Sequence, residues 1–351
     1  MSRLVRGVFV FLFNFWRYFV IINLLKSPQL FTKRYIFLLI QVIVSAALVF
    51  FVFKNIHLGD LSGAFKNAQI KYIIFALVIS VPAWIIGIFK WRFLANTIMD
   101  ESPPFRFFIS YYLVGYFYAL FVPGGQLLGE GIKAWRISNK SELKDQLYLS
   151  VFADKAIGFI ALGCLVLISF LTQPILYGDR LSILSLAVSA AIVLVGIMIF
   201  FNRTLLEYMY KIPEYLAKFF PAFIAGHVGI FKNHLLEYHR RKKSTLISIG
   251  IGTAAQLIWV LAIYFIVLSF NFHVPFLFIA WTFLIMSVAT FLPISYAGLG
   301  VREGTFVYFF SLIGVPRELA LSVSLVLFSF QILVALTGGG FELKELWGRM
   351  K

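Results

Sequence analysis

Long apolar runs alternate with short charged segments along almost the whole chain. A run of about 20 apolar residues is long enough to cross the hydrocarbon of a membrane as an α-helix. Seven runs reach or approach that length, at 35–53, 72–88, 147–171, 181–201, 245–270, 276–292 and 318–338. The pattern therefore predicts an all-α polytopic membrane protein with about seven full spans. It leaves two further runs, 105–122 and 304–315, to be explained.

Proline and glycine interrupt the apolar pattern twice, where a helix would otherwise continue. The first break reads FVPGGQLLGEG at 121–131, and the second reads FLPISYAGLGVREG at 291–304. Hydrocarbon offers no water to unpaired backbone groups, so irregular backbone survives there only against protein or beside a wet cavity. Proline removes an amide donor, and glycine permits tight turns. For a single break, the alternatives are an ordinary helix end or a glycine that serves helix packing.

Composition and charge support the membrane assignment and orient the chain. The sequence is 61% hydrophobic and 13% charged, with a net charge of +16. In so apolar a chain, a basic surplus indicates cytoplasmic loops and contact with anionic lipid rather than nucleic acid. Residues 1–34 carry six basic and no acidic side chains, and residues 202–243 carry eight basic and three acidic ones. Both segments are therefore predicted to lie on the cytoplasmic side of the cell membrane.

The same pattern predicts how the chain is divided. The arginines near the start fall on one side of a helix, which indicates an N-terminal interfacial amphipathic helix within residues 1–34. A tilted spanning helix over 3–26 is the alternative. Residues 35–338 form the predicted transmembrane domain, and the segment 202–243 within it is a basic amphipathic segment on the cytoplasmic surface. Residues 339–351 are predicted to be a short cytoplasmic tail.

Counting the crossings predicts that two segments turn back within the membrane. The loop 172–180 carries one charge of each sign and is assigned to the outside. The run 105–122 can then not cross completely and must dip in from the cytoplasmic side. In the second half, 276–292 and 304–315 form either a hairpin dipping from outside or one crossing followed by a short broken one. Two such breaks resemble the inverted repeat that transporters build around a midplane site.

Charged side chains beside the breaks are the candidates for a ligand site. On a helix, Glu130 and Lys133 share a face, and Arg302 precedes Glu303 after the second break. Helix N-termini and these cations would attract an anion such as a lipid phosphate. The alternative is an interfacial salt bridge with snorkelling side chains. The predicted headgroup-binding residues are Gly124, Gly125, Gly129, Glu130, Lys133, Arg136, Asp154, Pro293, Gly298, Gly300, Arg302 and Glu303.

Polar residues elsewhere in the apolar runs have simpler interpretations. Asp154 is expected to face protein or a polar cavity, Lys155 to snorkel, and Gln256 and Gln331 to hydrogen-bond between helices. The three histidines at 227, 234 and 239 have a spacing that fits no standard metal site. Nucleotide-binding and hydrolase motifs are absent from the sequence. No metal and no cofactor are therefore predicted.

The two breaks resemble the motifs of a known family. The stretches PGGQLLGEGIKAWRI and LPISYAGLGVREG are similar to those of the lysylphosphatidylglycerol synthase transmembrane-region family, also called flippase-like integral membrane proteins. Ala297 and Leu128 depart from the family pattern, which has glycine at both positions. The matching residues are Pro123, Gly129, Glu130 and Lys133 in the first motif, and Pro293, Gly298, Leu299, Gly300, Val301, Arg302 and Glu303 in the second.

The resemblance implies a membrane unit without the cytosolic synthase domain that some members carry. Such a unit is thought to move amphipathic lipids between leaflets, for example aminoacyl-phospholipids or polyprenyl-phosphate-linked sugars. We therefore expect a noncatalytic lipid transporter. One alternative is a membrane enzyme that transfers a group to or from a lipid phosphate, with Glu130 or Asp154 as the base. The other is a membrane partner of a separately encoded synthase or glycosyltransferase.

Overall fold

The computed structural model of the chain describes residues 28–54, 56–99, 103–122, 125–138, 144–172, 178–202 and 237–350. Three sequence predictions lie outside these residues: the interfacial helix 3–26, Gly124, and most of the basic segment 202–243. The described residues are mainly helical, as the apolar runs predict. Its helices are α1 (Pro28–Phe53), α2 (Leu58–Lys66), α3 (Ile70–Ile98), α4 (Phe105–Phe121), α5 (Gly125–Ser138), α6 (Lys144–Thr172), α7 (Arg180–Phe201), α8 (Lys242–Ser269), α9 (Phe276–Phe291), α10 (Val301–Leu312) and α11 (Arg317–Met350), with a 3₁₀ turn at Tyr296–Gly298.

Five of the described helices, α3, α6, α7, α8 and α11, are long and apolar enough to cross a membrane. The apolar part of α1 meets α2 at an angle of 78°, and this bent pair would add a sixth span. Helices α4 and α9 are apolar but shorter than a full span. Large apolar side chains of α7 point away from the protein, among them Leu184 and Leu194, which is typical of a surface that faces lipid. The prediction of an all-α polytopic membrane protein is confirmed.

Helices α3 and α8 pack antiparallel and define the two ends of the bundle. At the first end, the start of α3, the Gln69 amide donates to the Ser269 carbonyl oxygen at 2.7 Å. At the second end, the Tyr238 hydroxyl donates to the Leu94 carbonyl oxygen at 2.9 Å. Between these ends, the rings of Trp84 and Trp259 meet edge to face at 4.9 Å. Because lipid is as apolar as these rings, close packing rather than the hydrophobic effect holds the helices together.

Helices α4 and α5 form a hairpin that starts and finishes toward the second end of the bundle. The Arg92 guanidinium lies 5.5 Å from the centre of the Phe105 ring, which fixes the start of α4 beside the end of α3. Further along α4, Gly115 faces Lys133, and Gly129 lies against Ala119. Later residues of α4 therefore contact earlier residues of α5, which shows that the two helices are antiparallel. The predicted re-entrant segment at 105–122 is confirmed.

Helices α9 and α10 form a second hairpin, which starts at the first end of the bundle. The Phe276 ring lies 6.2 Å from that of Tyr264, near the end of α8. Phe278 pairs with Phe310 at 6.4 Å, and Gly298 lies against Thr290. Of the two arrangements that the sequence allows, the structure has the hairpin. The two hairpins therefore enter the bundle from opposite ends, as the predicted inverted pair requires.

Three predicted boundaries differ from the structure. Helix α1 begins at Pro28, within the segment assigned to the interfacial helix, and α11 continues to Met350 through the predicted tail. The second span was predicted over 72–88, with the charged residue Lys90 just after it, yet the helix α3 runs on to Ile98 with Lys90 and Trp91 buried. Both side chains find polar partners on α6, so burial does not require the helix to end there. The Trp91 indole nitrogen donates to the Ser150 hydroxyl at 3.1 Å.

Candidate functional site

The tips of the two hairpins meet inside the bundle. The Tyr296 hydroxyl of the second break donates to the Phe121 carbonyl oxygen, at the end of α4, over 3.1 Å. Helix α1 supports the second tip from the other side. The Gln41 side chain donates to the Pro293 carbonyl oxygen at 2.8 Å, and the Ser45 hydroxyl accepts the Tyr296 amide at 2.7 Å. Three backbone groups at the described parts of the breaks are thus satisfied by side chains, as an apolar surrounding requires.

Glycine is needed at the second break because the backbone there adopts positive φ angles. Gly298 has φ 75° and Gly300 has φ 80°, a region in which a Cβ atom is strained. A Cβ atom on Gly300 would also lie 2.4 Å from the Cβ atom of Leu48 in α1. Ala297 has φ 53°, so this alanine occupies a conformation that the family's usual glycine would adopt without strain. These glycines shape the turn and seat it against α1.

Gly129 has a packing role in the first hairpin. A Cβ atom at this position would lie 2.5 Å from the Gly115 carbonyl oxygen and 2.6 Å from the Ala119 Cβ atom. Only glycine lets the two helices of the hairpin approach this closely. Gly125 is the first residue of α5, directly after the break. The structure thus supports the packing interpretation that the sequence left open for glycines in the first motif.

A cleft lies beside the meeting point of the tips. Its cavity volume is about 40 Å³, room for a few water molecules, and it opens to the surroundings. Both hairpins contribute to it, together with α11. The lining is mixed, with polar groups facing apolar ones: Tyr116, Ala119, Leu120, Gln126, Met286, Thr290, Ala297, Arg302 and Gln331. The cleft therefore offers hydrogen-bonding groups within a partly apolar surface.

Arg302 is the charged residue that lines this cleft. Its guanidinium is almost fully buried and lies 3.9 Å above the Phe328 ring. The Nε and Nη2 atoms donate to Glu303, with Nε at 3.0 Å from Oε1, and Nη1 donates to the Gln331 side-chain oxygen at 3.1 Å. Glu303 in turn accepts the Gly300 amide at 2.7 Å and caps α10. The Gln331 contact confirms the predicted interhelical hydrogen bond.

Glu130 and Lys133 of α5 form a charged group with Lys155 of α6. The predicted pairing of Glu130 with Lys133 is present, with 2.9 Å between the Lys133 Nζ and Glu130 Oε2 atoms. Lys133 Nζ also lies over the rings of Trp91 at 4.0 Å and Tyr112 at 4.9 Å. Such aromatic faces stabilise a desolvated cation. The second Glu130 oxygen lies 2.9 Å from Lys155 Nζ. Lys155, interpreted from the sequence as a snorkelling residue, thus has an ion-pair partner on a neighbouring helix.

Lys90 and Asp154 make a further buried ion pair. The Lys90 Nζ atom lies 3.1 Å from Asp154 Oδ1 and donates to the Asp154 backbone oxygen at 2.9 Å. Asp154 faces protein, as predicted, but Lys90 was taken for a residue at the end of a span. Hydropathy alone does not separate a lysine that snorkels from one that is paired inside. The sequence contains one indication of this ion pair. Asp154 has no cation one helical turn away on its own helix, which leaves a partner on another helix.

The predicted site residues thus fall into two groups. Pro293, Gly298, Gly300, Arg302 and Glu303 build the second tip, and Arg302 reaches the cleft. Glu130, Lys133 and Asp154 lie in the charged group that includes Lys90 and Lys155. Arg136 belongs to α5, and its side chain lies outside the described part of the structure, as does the whole of Gly124. The sequence missed Gln126, Tyr116 and Thr290 in the cleft, since neutral polar residues are common in membrane helices.

Comparison with known proteins agrees with these motifs. A family profile described as "Lysylphosphatidylglycerol synthase TM region" matches residues 38–339. A UPF0104 membrane protein of Pyrococcus horikoshii is 26% identical over 304 residues, which covers 80% of this chain and 88% of the relative. A UPF0104 membrane protein of Methanothermobacter thermautotrophicus is 24% identical over 330 residues, covering 87% and 93%. No solved structure matches the chain.

Proposed function

The chain belongs to the lysylphosphatidylglycerol synthase TM region family, and we propose that it moves a lipid with an anionic or modified headgroup between membrane leaflets. The cargo class is that of aminoacyl-phospholipids or polyprenyl-phosphate-linked sugars. In this proposal the protein does not catalyse a reaction on the lipid and uses no cofactor. It lies in the cell membrane with both termini in the cytoplasm, where a separately encoded synthase or glycosyltransferase could supply the lipid.

One observation carries this proposal: two helical hairpins enter from opposite ends of the bundle and meet beside a cleft that contains a buried arginine and two glutamines. A full span satisfies its backbone internally and offers only side chains at that depth. Hairpin tips instead place a turn, side-chain amides and charges in the interior, which is how transporters form midplane sites. The headgroup would pass along the cleft while its apolar tails stay in the surrounding lipid.

Arg302, Gln331 and Gln126 are the proposed polar contacts for the headgroup in the cleft. Charged groups at membrane depth are costly, and this cost favours a functional role for them. The Glu303 contact holds the guanidinium in place, while part of its donor capacity stays available, since a guanidinium has five N–H groups. Such a site would fix an anion or a carbonyl oxygen without closing around it.

A translocation assay in liposomes tests the proposal. The purified protein is reconstituted with fluorescent phosphatidylglycerol, and the fraction of probe reachable by a membrane-impermeant quencher is followed in time. We expect transfer between leaflets to be faster than in protein-free liposomes. Transfer should fall at least tenfold in the double variant Glu130→Gln, Glu303→Gln, as expected when charged groups essential to a site are lost. The control is Asp60→Asn, an exposed acid on α2.

A second variant separates a damaged site from a damaged fold. Gln331→Met keeps the Arg302–Glu303 pair and removes a polar group from the cleft. We expect it to remain folded, with a loss of stability of about 1–3 kcal/mol because a guanidinium N–H loses its acceptor, and to transfer lipid more slowly. Equal rates for the wild type, the double variant and empty liposomes would contradict the proposal. Lipid analysis of a deletion strain addresses the enzyme alternative, because loss of a modified lipid indicates synthesis and its presence on the wrong leaflet indicates transport.

A further inference from the structure

Five ionisable side chains form a charge cluster of two ion-paired sets, Lys90 with Asp154 and Glu130 with Lys133 and Lys155, which adjoin where Asp154 precedes Lys155 in the sequence. Lys90 is matched by Asp154 at 3.1 Å, while Glu130 is shared between two lysines, each at 2.9 Å. The cluster thus contains three ammonium groups and two carboxylates, and among the described side chains it carries one surplus positive charge. A surplus charge in a medium of low dielectric constant is unfavourable unless an anion compensates it.

Lys155 is the cation that remains available to such an anion. Lys90 is buried against its own partner, and Lys133 is fully buried between Glu130 and the faces of Trp91 and Tyr112. The Lys155 side chain is 25% exposed, and its only ion-pair partner in the described part of the chain is the shared Glu130. An ammonium group has three donors, so one bond to Glu130 leaves others free to bind a ligand.

The location of Lys155 places it next to the cleft. Glu130, which contacts it, lies one helical turn after Gln126 on α5, and Gln126 lines the cleft. One turn after Lys155 on α6, the ring of Phe159 packs on that of Phe291 at 5.1 Å. Phe291 ends α9 and directly follows Thr290, which also lines the cleft. Both neighbours show that this face of α6 is turned toward the hairpin tips.

Arg302 is the other cation at the cleft, but its charge is already matched. Its guanidinium forms two hydrogen bonds to the Glu303 carboxylate, and both side chains are almost completely buried. Binding an anion there would add a negative charge to a neutral pair. Binding it at Lys155 would neutralise the surplus charge of the cluster. Charge balance therefore favours Lys155 over Arg302, although the sequence pointed to Arg302 and not to Lys155.

We propose that Lys155 binds the phosphate group of the transported lipid, beside the cleft that Arg302 lines. This inference rests on the proposed transport function and adds the chemical class that the protein selects: lipids whose phosphate leaves the headgroup with a net negative charge. It therefore favours polyprenyl-phosphate-linked sugars over aminoacyl-phospholipids, whose ammonium group offsets the phosphate charge. A zwitterionic headgroup carries its own compensating cation and gains less from the surplus charge. The bond is a charge-assisted hydrogen bond from the ammonium group to a phosphate oxygen.

Replacing Lys155 is expected to leave the fold intact. Lys155→Gln removes the surplus charge and leaves two matched pairs, Lys90 with Asp154 and Lys133 with Glu130. A buried pair that keeps both partners avoids the penalty of an uncompensated charge. Lys155→Arg keeps the charge at the same place. Lys66→Gln, at an exposed position on α2, is the matched control for the loss of one positive charge elsewhere.

Binding is measured with the full-length protein in detergent, by thermal unfolding against three separate ligands. These are dihexanoylphosphatidylglycerol, dihexanoylphosphatidylcholine and inorganic phosphate. We expect the wild type, Lys155→Arg and Lys66→Gln to bind the anionic lipid about tenfold more tightly than the zwitterionic one, the ratio that one charge-assisted bond supplies. In Lys155→Gln the two lipids should bind equally. Inorganic phosphate should bind more weakly than the anionic lipid in every variant.

Three results would overturn the inference: no preference in the wild type, a preference that survives in Lys155→Gln, or inorganic phosphate binding as tightly as the lipid. The last would identify a site for the free ion. The same variants in the liposome assay keep the two proposals apart. A lipid preference that depends on Lys155, without any translocation, would leave the anion site standing and refute transport. Translocation with an unchanged preference in Lys155→Gln would refute the anion site alone.

Discussion

Replacing Gly129 with alanine is predicted to force the first hairpin apart. The added methyl group would lie 2.5 Å from the Gly115 carbonyl oxygen, 2.6 Å from the Ala119 Cβ atom and 2.8 Å from the Ala119 amide nitrogen. Optimal contacts between such atoms are about 3.5 Å or longer. The obstructing atoms belong mostly to the backbone of α4, so no side-chain rotation relieves them. The two helices must separate by several tenths of an ångström.

The size of the effect follows from two opposing contributions. Alanine in the interior of a helix is more favourable than glycine by about 1 kcal/mol. Overpacking in a close-packed interior costs about 1–3 kcal/mol. Gly131 lies on the same helix, and a Cβ atom there has no neighbour within 4 Å. Gly131→Ala should therefore stabilise the protein, whereas Gly129→Ala should destabilise it or leave it unchanged. The difference between the two variants isolates the overpacking cost.

Both variants can be compared by the free energy of unfolding in mixed detergent micelles, followed by tryptophan fluorescence. We expect Gly129→Ala to be less stable than Gly131→Ala by about 1–3 kcal/mol. The liposome assay should show slower lipid transfer for Gly129→Ala alone, because the hairpin tip and its cleft move with α5. Equal stability of the two variants would refute the close antiparallel packing of α4 on α5.

Two further predictions concern charged groups. Asp154→Asn should lower the free energy of unfolding by about 3–5 kcal/mol, because it leaves the Lys90 ammonium buried without its carboxylate. Adding Lys90→Met should recover most of this free energy in the same unfolding measurement. At the first end of the bundle, burial pushes the pKa of Asp179 upward, but hydrogen bonds from the Tyr308 hydroxyl and from Ser182 outweigh it, so the pKa lies below its usual value. The carboxylate stabilises the fold above its unfolded-state pKa of about 3.9, and this stabilisation is lost as the pH falls through the folded-state pKa. Asp179→Ala should therefore lower the free energy of unfolding by about 1 kcal/mol at neutral pH and by less in acid.

The helices and the two breaks were predictable from the sequence because hydrocarbon imposes simple rules on length and backbone pairing. Crossing parity also predicted that 105–122 turns back, and the antiparallel contact of Gly115 with Lys133 confirms it. Positive φ at Gly298 and Gly300 could be expected from residue type, since a proline followed by spaced glycines ends regular helix. These features depend on local sequence and on counting.

Pairing between distant charges could not be predicted in the same way. Lys90 and Asp154 lie 64 positions apart, and their contact depends on how α3 and α6 are placed side by side. Lys155 resembles a snorkelling residue in sequence, and only Glu130 on a neighbouring helix gives it a partner. The neutral residues of the cleft carry no sequence signal of their own. Tertiary packing decides each of these, and a single sequence contains little information about it.

The contact between the two hairpin tips is the central claim, and it can be tested directly by photo-crosslinking in native membranes. Tyr296 is replaced with p-benzoylphenylalanine, the membranes are irradiated, and cross-linked peptides are identified by mass spectrometry. The 3.1 Å contact from the Tyr296 hydroxyl to the Phe121 carbonyl oxygen predicts a cross-link to the end of α4. If α4 and α9 were instead full crossings, residues 121 and 296 would lie at opposite membrane surfaces. Cross-links to lipid or to loop peptides, with none to the end of α4, would contradict the account.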